Sequence, residues 1–452
     1  MASHKRLLAV ADHPARAVVS AFVAAIAIGT ALLILPWSSS SGQSLGFQAA
    51  LFTSTSAVCV TGLSVVDAGT HFSGFGQAIL LLLMQLGGLG FMTIASLIAI
   101  VVSRHLGLRM TLLANRERSA LSLGDVRRVL RGVAFVTVMV EVVVSVVLAG
   151  RFWFGYHYRW DKALWHGVFH GVAGFTNAGF SLYPDSLERF STDVIVLAPL
   201  AISVVVGGLG FPVLVDLYTH RHDRKWRGLT LHSRLTLAMT AILLVVGCVA
   251  IGAAEWTNPA TFGSRGAIAK ATMSVFGSIT PRTAGFSVVP IGEMSDEGLF
   301  ATMVLMFIGA GSAGTSGGIK ISTAAVLGLV VWSQLRGRSD VGAFGRRISE
   351  RATREATTVV ILAAGAVFTA TVVLLATTTS VPLTDALFEA ISAFGTAGLS
   401  TGITPTLSHV AQFVLIFTML IGRLGPVTLG MALVLNRREA RVRYPEEDPL
   451  IG

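Results

Sequence analysis

Thr283-Ala284-Gly285-Phe286-Ser287 is one of four related glycine stretches in this chain. The others are Val60-Thr61-Gly62-Leu63-Ser64, Asn177-Ala178-Gly179-Phe180-Ser181 and Thr396-Ala397-Gly398-Leu399-Ser400. Their central glycines lie 117, 106 and 113 residues apart, so the 452-residue chain divides into four similar quarters. Each stretch follows an apolar segment too short to cross a membrane and precedes a long one. Fourfold repetition within one chain predicts four quarters around one axis. Four backbone turns meeting on that axis form a ring of carbonyl oxygens, the environment that replaces the hydration shell of a potassium ion.

Composition places the chain in a membrane. Apolar residues make up 53%, charged residues only 13%, and runs of about 20 apolar residues recur, the length that crosses the hydrocarbon core. The 48 glycines exceed what a simple soluble bundle uses and suit close helix packing in lipid. A net charge of +10 raises nucleic-acid binding, but the placement of charge excludes it. Of the 34 basic residues, 25 fall in five clusters in alternate connections, at 5–16, 104–131, 221–234, 336–354 and 437–443. The positive-inside rule makes those connections cytoplasmic. Cys59 and Cys248 supply no disulfide framework. The first apolar run lacks a small-residue cleavage site and reads as a retained span.

The expected architecture is an all-α polytopic membrane protein. Four pseudo-symmetric helix–pore helix–filter–helix repeats surround one central pore, giving eight transmembrane helices and four re-entrant pore helices. The first quarter uses spans near 17–36 and 75–102 with a short helix near 48–58. The second uses 130–150, 163–175 and 192–218; the third 233–254, 267–280 and 298–333; the fourth 356–378, 384–394 and 410–435. The corresponding units are an N-terminus at 1–16, repeats at 17–104, 127–218, 232–335 and 354–436, and a tail at 437–452, with both ends cytoplasmic. Phe52, Phe169, Phe276 and Phe388 precede their turn glycines by 10, 10, 9 and 10 residues, so the short helices share one register. About ten helical residues cover roughly 15 Å, half the hydrocarbon thickness. Such a helix enters and leaves on one face, with its C-terminal dipole end facing the axis and favouring a cation. The ion-binding candidates are therefore Val60, Thr61 and Gly62; Asn177, Ala178 and Gly179; Thr283, Ala284 and Gly285; and Thr396, Ala397 and Gly398, with potassium as the bound metal ion.

The last helices of the quarters carry a second mark: Gly87-Gly88-Leu89-Gly90, Gly207-Gly208-Leu209-Gly210, Gly309-Ala310-Gly311 and Gly422-Arg423-Leu424-Gly425. Close packing is the expected role in the first two. The third continues as Ser312-Ala313-Gly314-Thr315-Ser316-Gly317-Gly318-Ile319-Lys320, a run so rich in glycine that a helix there is disfavoured by about 1 kcal/mol per glycine. Residues 309–320 should unwind into a flexible intramembrane loop, tolerated only where protein or water covers it. Its position after the filter and before the cytoplasm suits a gate. Arg423, a lone charge in an apolar span, is expected at similar depth, facing the pore and opposing a second cation. Lys320 lies nearer the cytoplasmic end and is expected to snorkel. Asp67, Asp161, Asp185, Glu188, Asp193, Glu255, Glu293, Asp296, Glu297 and Asp385 fall in outer loops, as a field that concentrates cations or as solvated loop charges. Glu389 falls inside the fourth short helix, where it is expected to brace the neighbouring filter backbone.

The four turns, the glycine-rich interruption and Gly422-Arg423-Leu424-Gly425-Pro426, in that order over nearly the whole chain, resemble the Trk/Ktr/HKT superfamily of cation transporters. The start close to the first repeat and the ending Tyr444-Pro445-Glu446-Glu447-Asp448-Pro449 are most similar to the membrane subunits of bacterial Ktr systems, the KtrB branch. The resemblance implies potassium uptake across the bacterial cytoplasmic membrane and no enzymatic activity. It implies a homodimer with one pore per subunit, surrounded by membrane lipid and seated on a cytoplasmic KtrA-like nucleotide-binding ring. ATP and ADP act only through that partner, sodium acts as an activator, and no cofactor is held by this chain. The family's gating loop maps onto 309–320 and its pore arginine onto Arg423. Relatives that replace the first filter glycine with serine favour sodium; all four positions here are glycine, which implies potassium. A Trk-type transporter with another regulator is the alternative. Gly314-Thr315-Ser316-Gly317 also matches the G-x-S-G of intramembrane serine proteases, but that chemistry needs a histidine on another span, and the only close candidates, His166 and His170 in the second short helix, are expected near the opposite face from Ser316.

Overall fold

The computed structural model describes residues 14–90, 93, 123–221, 228–338 and 340–435. The expectations for 1–13, for the end of the second span at 94–102, for Arg104–Arg118 and for the tail beyond 435 lie outside the described residues.

Each quarter has a leading helix, a short helix, a glycine turn and a trailing helix. In the first, these helices are Pro14–Ile34, Phe47–Val58 and Gly74–Gly90. In the second they are Leu123–Tyr156, Trp160–Thr176 and Val194–Leu209, the last followed by Phe211–Thr219. The third has Leu231–Glu255, Ala267–Ile279 and a trailing pair, Asp296–Phe307 and Ile321–Leu335. The fourth has Glu350–Thr377, Leu383–Gly395 and His409–Leu435. A two-stranded hairpin, Gly342–Ala343 with Arg346–Arg347, links the third and fourth quarters.

Side-chain caps set where several helices begin. Asp193 accepts from the Ile195 amide at 3.0 Å, Thr230 from Ser233 at 3.2 Å and Ser295 from Gly298 at 3.1 Å. Three described helical stretches, Leu130–Tyr156, Leu231–Glu255 and Glu350–Thr377, are long and apolar enough to cross a membrane. Their exposed faces carry Val142, Val146, Val245, Val249, Ile361 and Phe368, side chains that water would expel and lipid accepts.

One departure from the expected spans has a backbone cause. The trailing span of the second quarter is not continuous: Val194–Leu209 and Phe211–Thr219 meet at 95°. Gly210, at φ +89°, makes the corner, and Pro212 in the first turn of the next helix needs no amide bond. The trailing span of the third quarter stops at Phe307 and resumes at Ile321, as its glycines predict.

The short helices are enclosed. Phe52, Phe169, Phe276 and Phe388 are all buried, so the shared register places one aromatic anchor per quarter. Ser54 donates to the Ile26 carbonyl at 2.9 Å and Ser278 to that of Leu244 at 2.8 Å, tying two short helices to their leading helices.

Candidate functional site

The four glycine turns share one unusual backbone conformation. In each, the residue two before the glycine has positive φ: Val60 (56°), Asn177 (59°), Thr283 (78°) and Thr396 (49°). The glycines follow at 95°, 70°, 73° and 81°, while the residues between have negative φ. Left-handed geometry is rare for non-glycine residues and unfavourable for β-branched ones, costing about 1–3 kcal/mol each. Four strained turns of one form persist only because their surroundings impose them.

Those surroundings are mainly the other turns. A methyl group built on Gly62 would lie 2.6 Å from the Ala178 carbonyl oxygen; on Gly179, 3.0 Å from that of Ala284; on Gly285, 2.9 Å from that of Ala397; and on Gly398, 2.1 Å from that of Thr61. The contacts run 62 to 179 to 285 to 398 and back to 62. The four turns therefore form a closed ring in chain order, each glycine facing the carbonyl before the next. Above it lies a cavity of about 310 Å³ lined by all four glycines and by Ser64, Ser181, Ser287 and Ser400, the serine two residues after each.

The trailing-helix glycines set how closely the helices approach this ring. A methyl on Gly87 would lie 2.0 Å from the Val58 carbonyl oxygen, on Gly207 2.2 Å from that of Phe175, and on Gly422 1.8 Å from that of Phe394. In these three quarters the glycine presses against the C-terminal end of its own short helix, so the packing role expected of 87–90 and 207–210 holds. The second stretch does more.

Residues 308–320 dock on it. The Gly311 amide donates to the Gly208 carbonyl at 2.8 Å, and that of Thr315 to Gly207 at 3.1 Å. On the other side, the Gly318 amide donates to the Gly422 carbonyl at 3.2 Å. Gly309 and Ile321 bond within the segment, to Ile319 and Ala310. Gly317 abuts Thr396, so the loop touches the fourth turn. The segment is unwound as expected, but it is bonded into a defined path between the second and fourth quarters. Glycine is required there because a methyl on Gly311 or Gly314 would strike the Leu209 or Gly208 carbonyl. We expect Gly210→Ala, whose added methyl would lie 2.4 Å from the Ser312 carbonyl at φ +89°, to displace the loop. Protease cleavage within 309–320 should then increase in the variant over the wild type.

Arg423 is fully buried, and its guanidinium donates to two backbone carbonyls: Thr315 of the loop and Gly87 of the first quarter, the latter at 2.9 Å. It is a strut joining three quarters, rather than simply a charge pointed into open pore. The expectation for Lys320 is corrected. Its ammonium does not reach an interface: it is 5% exposed and donates to the Ser316 carbonyl within the loop. Here the chain turns back from the loop into the helix Ile321–Leu335, so the side chain folds under the segment it follows.

Glu389 is buried and accepts from the hydroxyls of Ser400 and Thr404. It braces the stretch just after the fourth turn, chiefly through side-chain hydroxyls. Several of the outer carboxylates are already committed to protein partners. Asp193 holds Arg151 at 2.7 Å and Tyr156 at 2.9 Å, while Asp161 pairs with Arg159 and Asp185 with Arg189. Glu255 is buried under Asn258, Thr261 and Ser295. Asp67, capping Ala68–His71, is the acidic residue that lines the cavity above the ring. Ser316 Oγ has no hydrogen-bond partner, and His170 is engaged by the His166 carbonyl and Ser181, so the described residues supply no base for a serine nucleophile.

A family model described as "Cation transport protein", TrkH, matches residues 3–439. The chain belongs to the TrkH family. It is a multi-pass membrane protein of a family of cation transporters, not of enzymes. It is 35% identical over 439 residues to the Ktr system potassium uptake protein B of Bacillus subtilis (strain 168), covering 97% of each chain. It is 37% identical to the Ktr system potassium uptake protein B of Vibrio alginolyticus, covering 97% of this chain and 94% of that one. It is also 35% identical to the potassium/sodium uptake protein NtpJ of Enterococcus hirae, covering 97% of each. In fold it is similar to the potassium transporter TrkH of Vibrio parahaemolyticus, with a TM-score of 0.70 at 16% identity over 94% of this chain and 85% of that one.

Within this TrkH-family chain, sequence reasoning missed Arg282. It stands one residue before the third turn, 4% exposed, its Nε unpartnered, beside a small void lined by Gly208, Thr240 and Ala310. A charge flanking a strained intramembrane turn was the available signal. It also missed the docking surface at Gly207–Gly210, because hydrogen bonds between backbones leave no residue type to read.

Proposed function

We propose that this protein takes up potassium across the bacterial cytoplasmic membrane, through a filter made by the four glycine turns. The observation carrying this reading is the ring itself: four turns with one strained conformation, closed glycine to carbonyl beneath a shared cavity. A ring of fixed carbonyl oxygens replaces water around a dehydrated cation. The names of the relatives, potassium uptake and potassium/sodium uptake, support the ion. The glycine at all four positions, on the family resemblance, favours potassium over sodium. Isotope uptake into proteoliposomes tests the reading: saturable potassium uptake that excess sodium displaces poorly supports it, and equal competition by sodium overturns it.

In this proposal the chain crosses the membrane eight times, with four re-entrant short helices whose C-terminal ends face the axis. Both termini and the arginine clusters are cytoplasmic. The protein is a homodimer on a cytoplasmic nucleotide-binding ring of the KtrA type, ATP and ADP act through that ring, and sodium stimulates flux. Residues 309–320 are the gate. Their place against Thr396 of the fourth turn supports that role. Deleting Ala310–Gly317 should raise potassium flux several-fold and weaken its dependence on the regulatory subunit. An inserted deletion protein with less flux than wild type would assign the loop a structural role.

A further inference from the structure

The leading helix of the second quarter buries a carboxyl group, Glu141, within the run Val138-Met139-Val140-Glu141-Val142-Val143-Val144. It is 7% exposed. Its one partner among the described residues is Gln85, on the trailing helix of the first quarter, whose Nε2 donates to Glu141 Oε2 at 3.1 Å. The other oxygen of each group, Glu141 Oε1 and Gln85 Oε1, is buried and unpartnered. An ionised carboxylate offers only acceptors, and the acceptor of Gln85 is also unused, so with Glu141 ionised neither free oxygen has a donor to meet it. Leaving a buried charge without compensation in apolar surroundings is costly. One proton resolves both problems. A carboxylic acid at Glu141 can donate its O–H to Gln85 Oε1 while Gln85 Nε2 donates to Oε2, closing a two-bond acid–amide pair.

We propose that Glu141 and Gln85 form an intramembrane proton-binding site. A metal ion fits the donors less well: Thr137 Oγ1, one turn away, is the other buried, unpartnered oxygen on that stretch, and the amide N–H of Gln85 already occupies part of the carboxylate. No described charged group faces the pair. The helix Gly74–Gly90 has no titratable side chain, nor does Val194–Leu209. On the short helix Trp160–Thr176, His170 is held by the His166 carbonyl and Ser181, and Asp161 and Lys162 lie at its opening turn. Arg151 is bound to Asp193 near the far end of the leading helix itself. The site also lies two residues from Gly87, whose carbonyl accepts from Arg423. Loss of the proton would place a bare charge beside the backbone that anchors that strut.

Infrared spectroscopy of the full-length protein in lipid bilayers, with and without sodium, tests the site. At neutral pH the wild type should show a protonated-carboxyl C=O band that Glu141→Gln removes. That variant keeps both hydrogen bonds as an amide–amide pair and should retain the wild-type Tm. Gln85→Leu should keep the Glu141 band but move it to higher frequency, because its carbonyl loses the N–H donor. On raising the pH, the wild-type Tm should fall more than that of Glu141→Gln, since only the wild type has this proton to lose. A neutral-pH spectrum with no band lost in Glu141→Gln would overturn the proposal. So would a band that Gln85→Leu leaves unmoved, or one that appears only when sodium is withdrawn, which would mark a sodium site.

Discussion

Arg423→Ala should raise maximal potassium flux by about tenfold or more, and the gain should vanish when Ala310–Gly317 are also deleted. The guanidinium donates to the Thr315 carbonyl in the loop and to Gly87 in the first quarter. Hydrogen bonds from charged groups contribute about 1.5–3 kcal/mol each, so losing the loop bond alone shifts its equilibrium by at least a factor of ten. Direct repulsion of the permeating ion is a competing cause: at about 8 Å and an effective dielectric of about 20 it amounts to roughly 2 kcal/mol. The two causes predict similar single-variant fluxes, and a double-mutant cycle separates them. If Arg423 acts as a strut, its removal has no effect once the loop is gone. If it acts as a bare charge, the effects add. Arg423→Lys should change flux less than alanine does, because an ammonium keeps the charge and can still reach one carbonyl. Loss of flux in both backgrounds would contradict either role.

The second large effect is on selectivity, and the ring geometry grades it. Adding a methyl at Gly398 places it 2.1 Å from the Thr61 carbonyl oxygen, against 2.6 Å from the nearest atom for Gly62, 2.7 Å for Gly285 and 2.8 Å for Gly179. Every one of these contacts is with backbone, which has no rotamer to yield, and all four positions also require positive φ. We expect each Gly→Ala or Gly→Ser variant to lower potassium uptake and its preference over sodium. Gly398 should be the most severe, with uptake falling at least a hundredfold, because its methyl lands on a carbonyl that the filter reading assigns to the ion. Uptake of each ion in competition, in proteoliposomes with matched protein content, gives the order. Unchanged affinity and selectivity in all four variants would remove the filter from these turns.

The periodic part of this protein is legible in its residues alone. Four glycine turns and four phenylalanines in register before them repeat in every quarter, and in three quarters the small-residue mark after them solves one packing problem, a trailing helix pressed on the end of its short helix. Glycine is needed where backbone meets backbone, and that need is visible in one dimension. The break at 309–320 was legible for the same reason: its glycines cannot sustain a helix.

How the quarters bond to one another emerges with the folded arrangement. That Gly62 faces Ala178 while Gly398 faces Thr61 is a closure condition, and no local pattern states it. The loop docks on Gly207 and Gly208 through main-chain groups that every residue carries, so residue identity could not announce it. Arg423 and Lys320 show the same limit from the other side. Their charge was conspicuous, but the nearest accepting carbonyls decide where a buried cation points, and for Arg423 those lie 108 and 336 residues away in the chain. Glu141 and Gln85, 56 residues apart, meet only because the first trailing helix lies against the second leading helix, and burial then makes a single proton matter.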